Sequence, residues 1–206
     1  MRLLSLAFLA ATTTGACLPV HAQSAGDWTL AVGAHHVDPR SGNGRLAGGS
    51  LPLSIGGSTR PTIAAEYFVR DGLGLELLAA LPFRHDIAVD GLGRVGSTRH
   101  LPPTLSLQYH GHRGGTVSPL FGIGVNSTTF FGEDTTGALA GTRLQLRDAW
   151  GLAAHAGLDI RLGAGSRLRL DARWIDIDTD VRVDGVPLGT AHLDPLVYGA
   201  AYVRTF

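Results

Sequence analysis

Nine histidines in 206 residues invite a metal or catalytic reading. His21 falls in the amino-terminal leader, His35, His36 and His85 near strand tops, and His110 and His112 in a short turn. Side-chain alternation turns His100 and His155 inward. No His-x-x-x-His pair, HExxH run or Cys/His arrangement occurs, and histidines two apart on a strand share a face too commonly to mark a ligand set. Hydrogen bonding is therefore expected of them, with no metal and no cofactor. His100 and Ser106 come nearest to a base and a nucleophile. Six residues along one strand separates them by about 20 Å, too far to share a proton. No catalytic residue is expected, and the chain does not read as an enzyme. Asp176, Asp178 and Asp180 alternate on one face, where a solvated rim is the simpler reading than a weak cation site.

The other charged residues form a more specific pattern. Glu66, Glu76, Asp159, Arg161, Arg167, Arg169, Asp171 and Arg173 share the inward face of period-two segments. Carboxylates and guanidiniums enclosed together neutralise one another, and as a plug they would fix the register of the strands carrying them. Toward the opposite end that face continues as Leu78, Ala80, Pro82, Pro102 and Thr104, which reads as an apolar funnel. Pro82, Pro102 and Pro103 lie on neighbouring strands. Proline cannot donate to a strand ladder, so these three mark a seam that either opens sideways or merely bends the strands.

Strands must position these faces. Period-two alternation predicts eight of them, at about 28–37, 59–69, 73–84, 98–109, 117–131, 150–162, 167–178 and 193–206. In the third, Leu75, Leu77, Ala79, Leu81 and Phe83 oppose Glu76, Leu78, Ala80, Pro82 and Arg84. One face of nearly every strand is apolar with aromatics near its ends, while the other is small, polar or charged. A soluble sandwich would need more surface charge than 17%, and glycine, at 29 residues, is about twice its usual share. The pattern fits an all-β, eight-stranded antiparallel transmembrane β-barrel with its apolar face in lipid. After the first 22 residues no apolar run approaches 18, which excludes helical spans. Basic and acidic residues cancel at 17 each, so nothing favours nucleic acid.

Connections at about 38–58, 70–72, 86–97, 110–116, 132–148, 163–166 and 179–192 alternate long and short. That is the asymmetry of a bacterial outer-membrane barrel with short periplasmic turns and long external loops. The first long loop reads as Gly/Ser-rich with little to pack. Tyr202 and Phe206 end an amphipathic last strand, the expected signal for the outer-membrane assembly machinery. At the other end, Arg2, an apolar stretch and Val20-His21-Ala22 read as a secretory signal peptide over 1–22, leaving 23–206 as a single barrel.

Several ordered motifs resemble OmpW-type, AlkL-related outer-membrane proteins: Pro82-Phe83-Arg84-His85, His100-Leu101-Pro102-Pro103-Thr104-Leu105, Thr128-Thr129-Phe130-Phe131, Asp148-Ala149-Trp150-Gly151, Asp176-Ile177-Asp178 and Leu193-Asp194-Pro195. Together they span about residues 28–206. The resemblance implies an eight-stranded barrel with a narrow, partly apolar lumen, through which small hydrophobic molecules pass. Arg173 departs from it, standing where an apolar or aromatic inward residue is expected. The reading is an outer-membrane facilitator of hydrophobic solute uptake, with lipid and lipopolysaccharide as its surroundings. The alternative is a non-conducting structural or surface-interaction barrel.

Overall fold

The computed structural model describes residues 23–206; the leader expected over 1–22 lies outside the described residues. The chain opens with β1 (Trp28–Asp38), β2 (Arg45–Leu46), β3 (Leu51–Ile55), β4 (Ser58–Arg70) and β5 (Leu73–Ala80). It continues through β6 (Phe83–Val89), β7 (Gly93–Leu101), β8 (Thr104–His110), β9 (Val117–Thr135) and β10 (Leu144–Leu146). The last five are β11 (Ala149–Gly163), β12 (Ser166–Ile175), β13 (Asp178–Val183), β14 (Val186–His192) and β15 (Leu196–Thr205). Eight of them close an antiparallel barrel in the order β1, β4, β5, β8, β9, β11, β12, β15, and β15 pairs back to β1. Closure leaves no edge, so these backbone groups are paired without help from water.

The barrel is sorted inside out. Ile123 and Leu152 are 70% and 66% exposed, whereas Glu76, Gln108 and Asp159 are at 0%. Only a hydrocarbon exterior makes that sorting favourable. Trp28, Tyr67, Tyr109, Tyr202 and Phe206 ring the end carrying the short turns, while Trp150, Trp174 and Tyr198 ring the other. The turn between β4 and β5 uses Asp71-Gly72, with Gly72 at φ +70°. Glycine also makes room inside. A Cβ on Gly74 would lie 2.2 Å from Glu66 Oε1, and one on Gly122 the same distance from Gln108 Oε1.

Above the membrane the strands continue, and burial inverts. β2, β3, β6, β7, the upper end of β9 and a separate sheet of β10, β13 and β14 surround an apolar cluster that includes Val37, Leu53, Phe83, Ile87, Val95 and Val181. This corrects two expectations. The 38–58 segment is not an unpacked loop, because Leu46 and Leu53 are 5% exposed and β3 pairs with β6. The third strand is not continuous in parity either. It breaks at Leu81-Pro82, so Phe83 turns inward and Arg84 outward. The physical cause is a mismatch: pairing of β5 with β8 lapses after Leu78↔Thr104 and resumes between β6 and β7 at Phe83↔His100. Four residues on one side then face three on the other, and the extra residue reverses every later side chain.

Candidate functional site

Inside the barrel, alternation on β4, β5, β11 and β12 aims the charged side chains at one another. Arg169 is the hub. Its Nε and Nη2 donate to the two oxygens of Asp159 at 2.8 and 3.1 Å, and its Nη1 donates to Glu76 Oε2 at 2.8 Å. Glu66 Oε2 lies 3.7 Å from Nη2. Arg173 pairs with Glu76 at 2.8 Å and with Asp171 at 3.3 Å, so the departure noted in the sequence is a neutralised one. Arg167 reaches Ser118 Oγ at 3.1 Å. Arg161 does not join them. It is exposed and donates to the carbonyl of Gly114 at 2.8 Å, because β11 has already left the barrel interior there.

Further polar partners complete the plug: His155, turned inward as alternation expects, and His35, His110 and Gln23, whose part in it was missed in the sequence. Asp171 is held between His35 Nε2 at 3.0 Å and His155 Nε2 at 2.9 Å, while His155 Nδ1 contacts Gln108 Oε1 at 2.9 Å. His110 is not in a turn. It ends β8, fully buried, with Nε2 2.7 Å from Glu66 Oε1. Extending the alternation of Thr104, Ser106 and Gln108 by one step would have found it. Gln23 closes the bottom, its Nε2 donating to Asp159 at 3.2 Å. The hollow left beside Glu76, Arg169 and Arg173 is only about 10 Å³, room for one water at most. The plug fills the lumen.

The external half holds a different space. An apolar vestibule of about 60 Å³, measured as the room open to a water's centre, is walled by residues such as Leu53, Ile87, Val95, Leu144, Val181 and Leu193. Among the described residues, its only polar wall residues are His85, Thr98 and Thr179. None of Leu78, Ala80, Pro82, Pro102 and Thr104 lines it, which corrects the funnel expected there. The parity reversal at Pro82 hands the wall to β6, and the loops supply the rest. Leu78 lies lower, against Ala31, Ala64 and Ala201, and Ala80 touches the vestibule cluster from below. The missed signal was short apolar alternation within the long connections: Leu51-Pro52-Leu53, Leu144-Gln145-Leu146 and Val181-Arg182-Val183.

Pro82, Pro102 and Pro103 all sit where pairing lapses between β5–β6 and β7–β8. Each flank stays attached to its outer neighbour. The amide of Leu81 donates to Pro61 O at 3.1 Å, and that of Ser127 to Pro103 O at 3.0 Å. Asn126 Nδ2 adds bonds to Pro102 O at 3.0 Å and Pro103 O at 3.2 Å. The two proline-bearing segments are thus held from outside but not by a ladder to each other. At the chain end, Phe206 is 72% exposed and its amide donates to Trp28 O at 2.8 Å; Tyr202 bonds Ser166 at 2.7 Å. On the external rim the aspartates do not act as a triplet. Asp178 joins His192 and Asp194 within 4.8 Å, whereas Asp180 faces Arg147 at 3.5 Å. The Asp176 carboxyl is pushed up by its partial burial and by Asp194 and Asp178 beside it.

The chain as a whole is matched by known proteins. The family model described as "OmpW family" matches residues 24–206. The chain belongs to the OmpW family. It is 36% identical over 183 residues to outer membrane protein W of Vibrio cholerae serotype O1, covering 84% of this chain and 83% of that one. Against outer membrane protein AlkL of Ectopseudomonas oleovorans, it is 33% identical, covering 86% and 82%. Among solved structures, OprG of Pseudomonas aeruginosa superposes with a TM-score of 0.78 at 31% identity, covering 91% of this chain and 99% of that one. This OmpW-family barrel accordingly resides in the outer membrane, with lipid around its apolar face.

Proposed function

We propose that the protein admits small hydrophobic molecules from the cell exterior into the apolar vestibule and releases them sideways into the bilayer. One observation carries this reading: the vestibule stands directly over a closed, charged plug, and the wall at the level between them lacks a continuous ladder. A hydrophobic solute loses stabilisation by entering the plug, where every polar group it displaced would forgo its partner. Moving through the unzipped segment keeps it in apolar surroundings throughout. Passage of this kind involves no covalent chemistry.

The test compares uptake of n-octane by cells carrying the protein with uptake by cells lacking it. A Pro102→Val, Pro103→Val variant restores two N–H donors to the wall. Faster uptake with the wild-type barrel, slowed by the variant while the barrel still folds, supports sideways release. Equal uptake with and without the protein would leave a non-conducting surface barrel as the better account. Uptake undiminished in the variant would remove the lateral route.

A further inference from the structure

One imidazole lines the apolar vestibule, and a second is stacked against it from outside the lining. His85 lines the cavity, and His100 lies on the neighbouring β7, directly opposite Phe83. Their rings stack with centroids 4.8 Å apart, between Phe83 and the edge-on ring of Phe130. Both side chains are at 0% exposure. Among the described residues, only His85 Nδ1 of their four ring nitrogens has a protein partner, the carbonyl of Gly56 at 2.5 Å. Carbonyl oxygen can only accept, so the proton sits on Nδ1 and Nε2 presents a bare lone pair. A charge buried here would have no counter-ion, so His100 is neutral and offers one N–H and one lone pair.

Unpartnered nitrogens in an apolar box destabilise the fold, and a phenylalanine or leucine would fill the space without that penalty. The arrangement is useful if an occupant of the vestibule brings the missing partners. The lone pair on His85 decides what kind. It requires a donor, so a hydrocarbon offers it nothing, and an ionised carboxylate can accept from the His100 N–H but leaves this lone pair unmet. We propose that His85 and His100 form a head-group site for an apolar molecule bearing a hydroxyl, such as a medium-chain alcohol. The hydroxyl donates to His85 Nε2 and accepts from the His100 N–H. This rests on the vestibule being an entry port, and it refines the substrate class. His100 stands on the first paired rung above the break in the wall and His85 two rungs higher, so a molecule docked between them lies next to its exit.

The full barrel in phosphatidylcholine nanodiscs, with 15N-labelled histidine rings, is titrated at pH 8 with 1-octanol, octanoate and n-octane. The proposal expects 1-octanol to shift the His85 Nε2 and His100 ring resonances saturably, while n-octane leaves both in place and octanoate leaves His85 Nε2 in place. Uptake of 1-octanol should exceed that of n-octane about tenfold, the worth of one or two buried hydrogen bonds. In a His85→Leu, His100→Phe variant that ratio should fall to about one. His100→Gln, which keeps a donor and an acceptor, should retain part of the preference and guards against misfolding of the double variant. Ring resonances unmoved at saturating 1-octanol would overturn the proposal, since the pair would then hold nothing but water. Equal entry of octane and octanol overturns the head-group site alone, whereas entry of neither overturns the port and the site with it.

Discussion

Replacing Arg169 by methionine removes the hub of the plug and tests whether the lumen is sealed. The guanidinium is 2% exposed and contacts Asp159 through two bonds of 2.8 and 3.1 Å and Glu76 through one of 2.8 Å. Breaking a buried pair by deleting one partner typically costs about 3–5 kcal/mol, mostly from the charge left behind. Here the lower end applies. Asp159 keeps Gln23 at 3.2 Å, and Glu76 keeps Arg173 at 2.8 Å and Gln108 at 3.3 Å. A loss of about 3 kcal/mol is therefore expected for Arg169→Met. Removing the stranded carboxylate as well, in Arg169→Met with Asp159→Leu, should recover about 2 kcal/mol of it, as apolar replacement of a whole buried pair often does. Urea unfolding in lipid vesicles, followed by tryptophan emission, measures both numbers. A single-variant cost under about 1 kcal/mol with no coupling would mean that water screens these charges as it does at an exposed surface. The plug would then be open, and release toward the periplasm would regain its footing.

Asn126→Leu should cost about 1–3 kcal/mol and loosen the proline segment on its β9 side, because the buried Pro102 carbonyl and the part-buried Pro103 carbonyl lose their side-chain donor; faster amide exchange at Ser127 is the readout. Burial holds the His85 imidazole below its ordinary value of 6.5, with His36 and Arg60 adding to that, while the Gly56 carbonyl and Asp86 oppose it. The unfolded chain therefore takes up this proton first. Stability of the external half should fall as pH drops through about 6.5 and level off below the folded value, and His85→Leu should flatten that slope in protease-sensitivity measurements between pH 8 and 5. Trp150 and Trp174 should be quenched by lipids brominated near the headgroup of one leaflet and Trp28 by those of the other, since they ring opposite ends of the apolar band. Quenching of all three from a single leaflet would refute the orientation.

Alternation was enough to place the lower storey. A strand has only two faces, so one residue in each determines the rest, and Glu66, Glu76, Asp159, Arg167, Arg169, Asp171 and Arg173 followed from counting. The same rule fails where the count changes. One extra residue at Leu81-Pro82 against Leu101-Pro103 reverses the parity of all that follows, and proline content alone does not say whether a bulge forms there. Arg161 was misplaced for a related reason, since alternation does not tell where a strand leaves the lumen. The vestibule belongs to the tertiary structure entirely. Its walls come from the upper ends of β7 and β9 together with β2, β3, β6, β10, β13 and β14, short segments that cannot bury an apolar face alone, and Leu53, Leu144 and Val181 become a cavity only when closure of the barrel brings their loops to one rim.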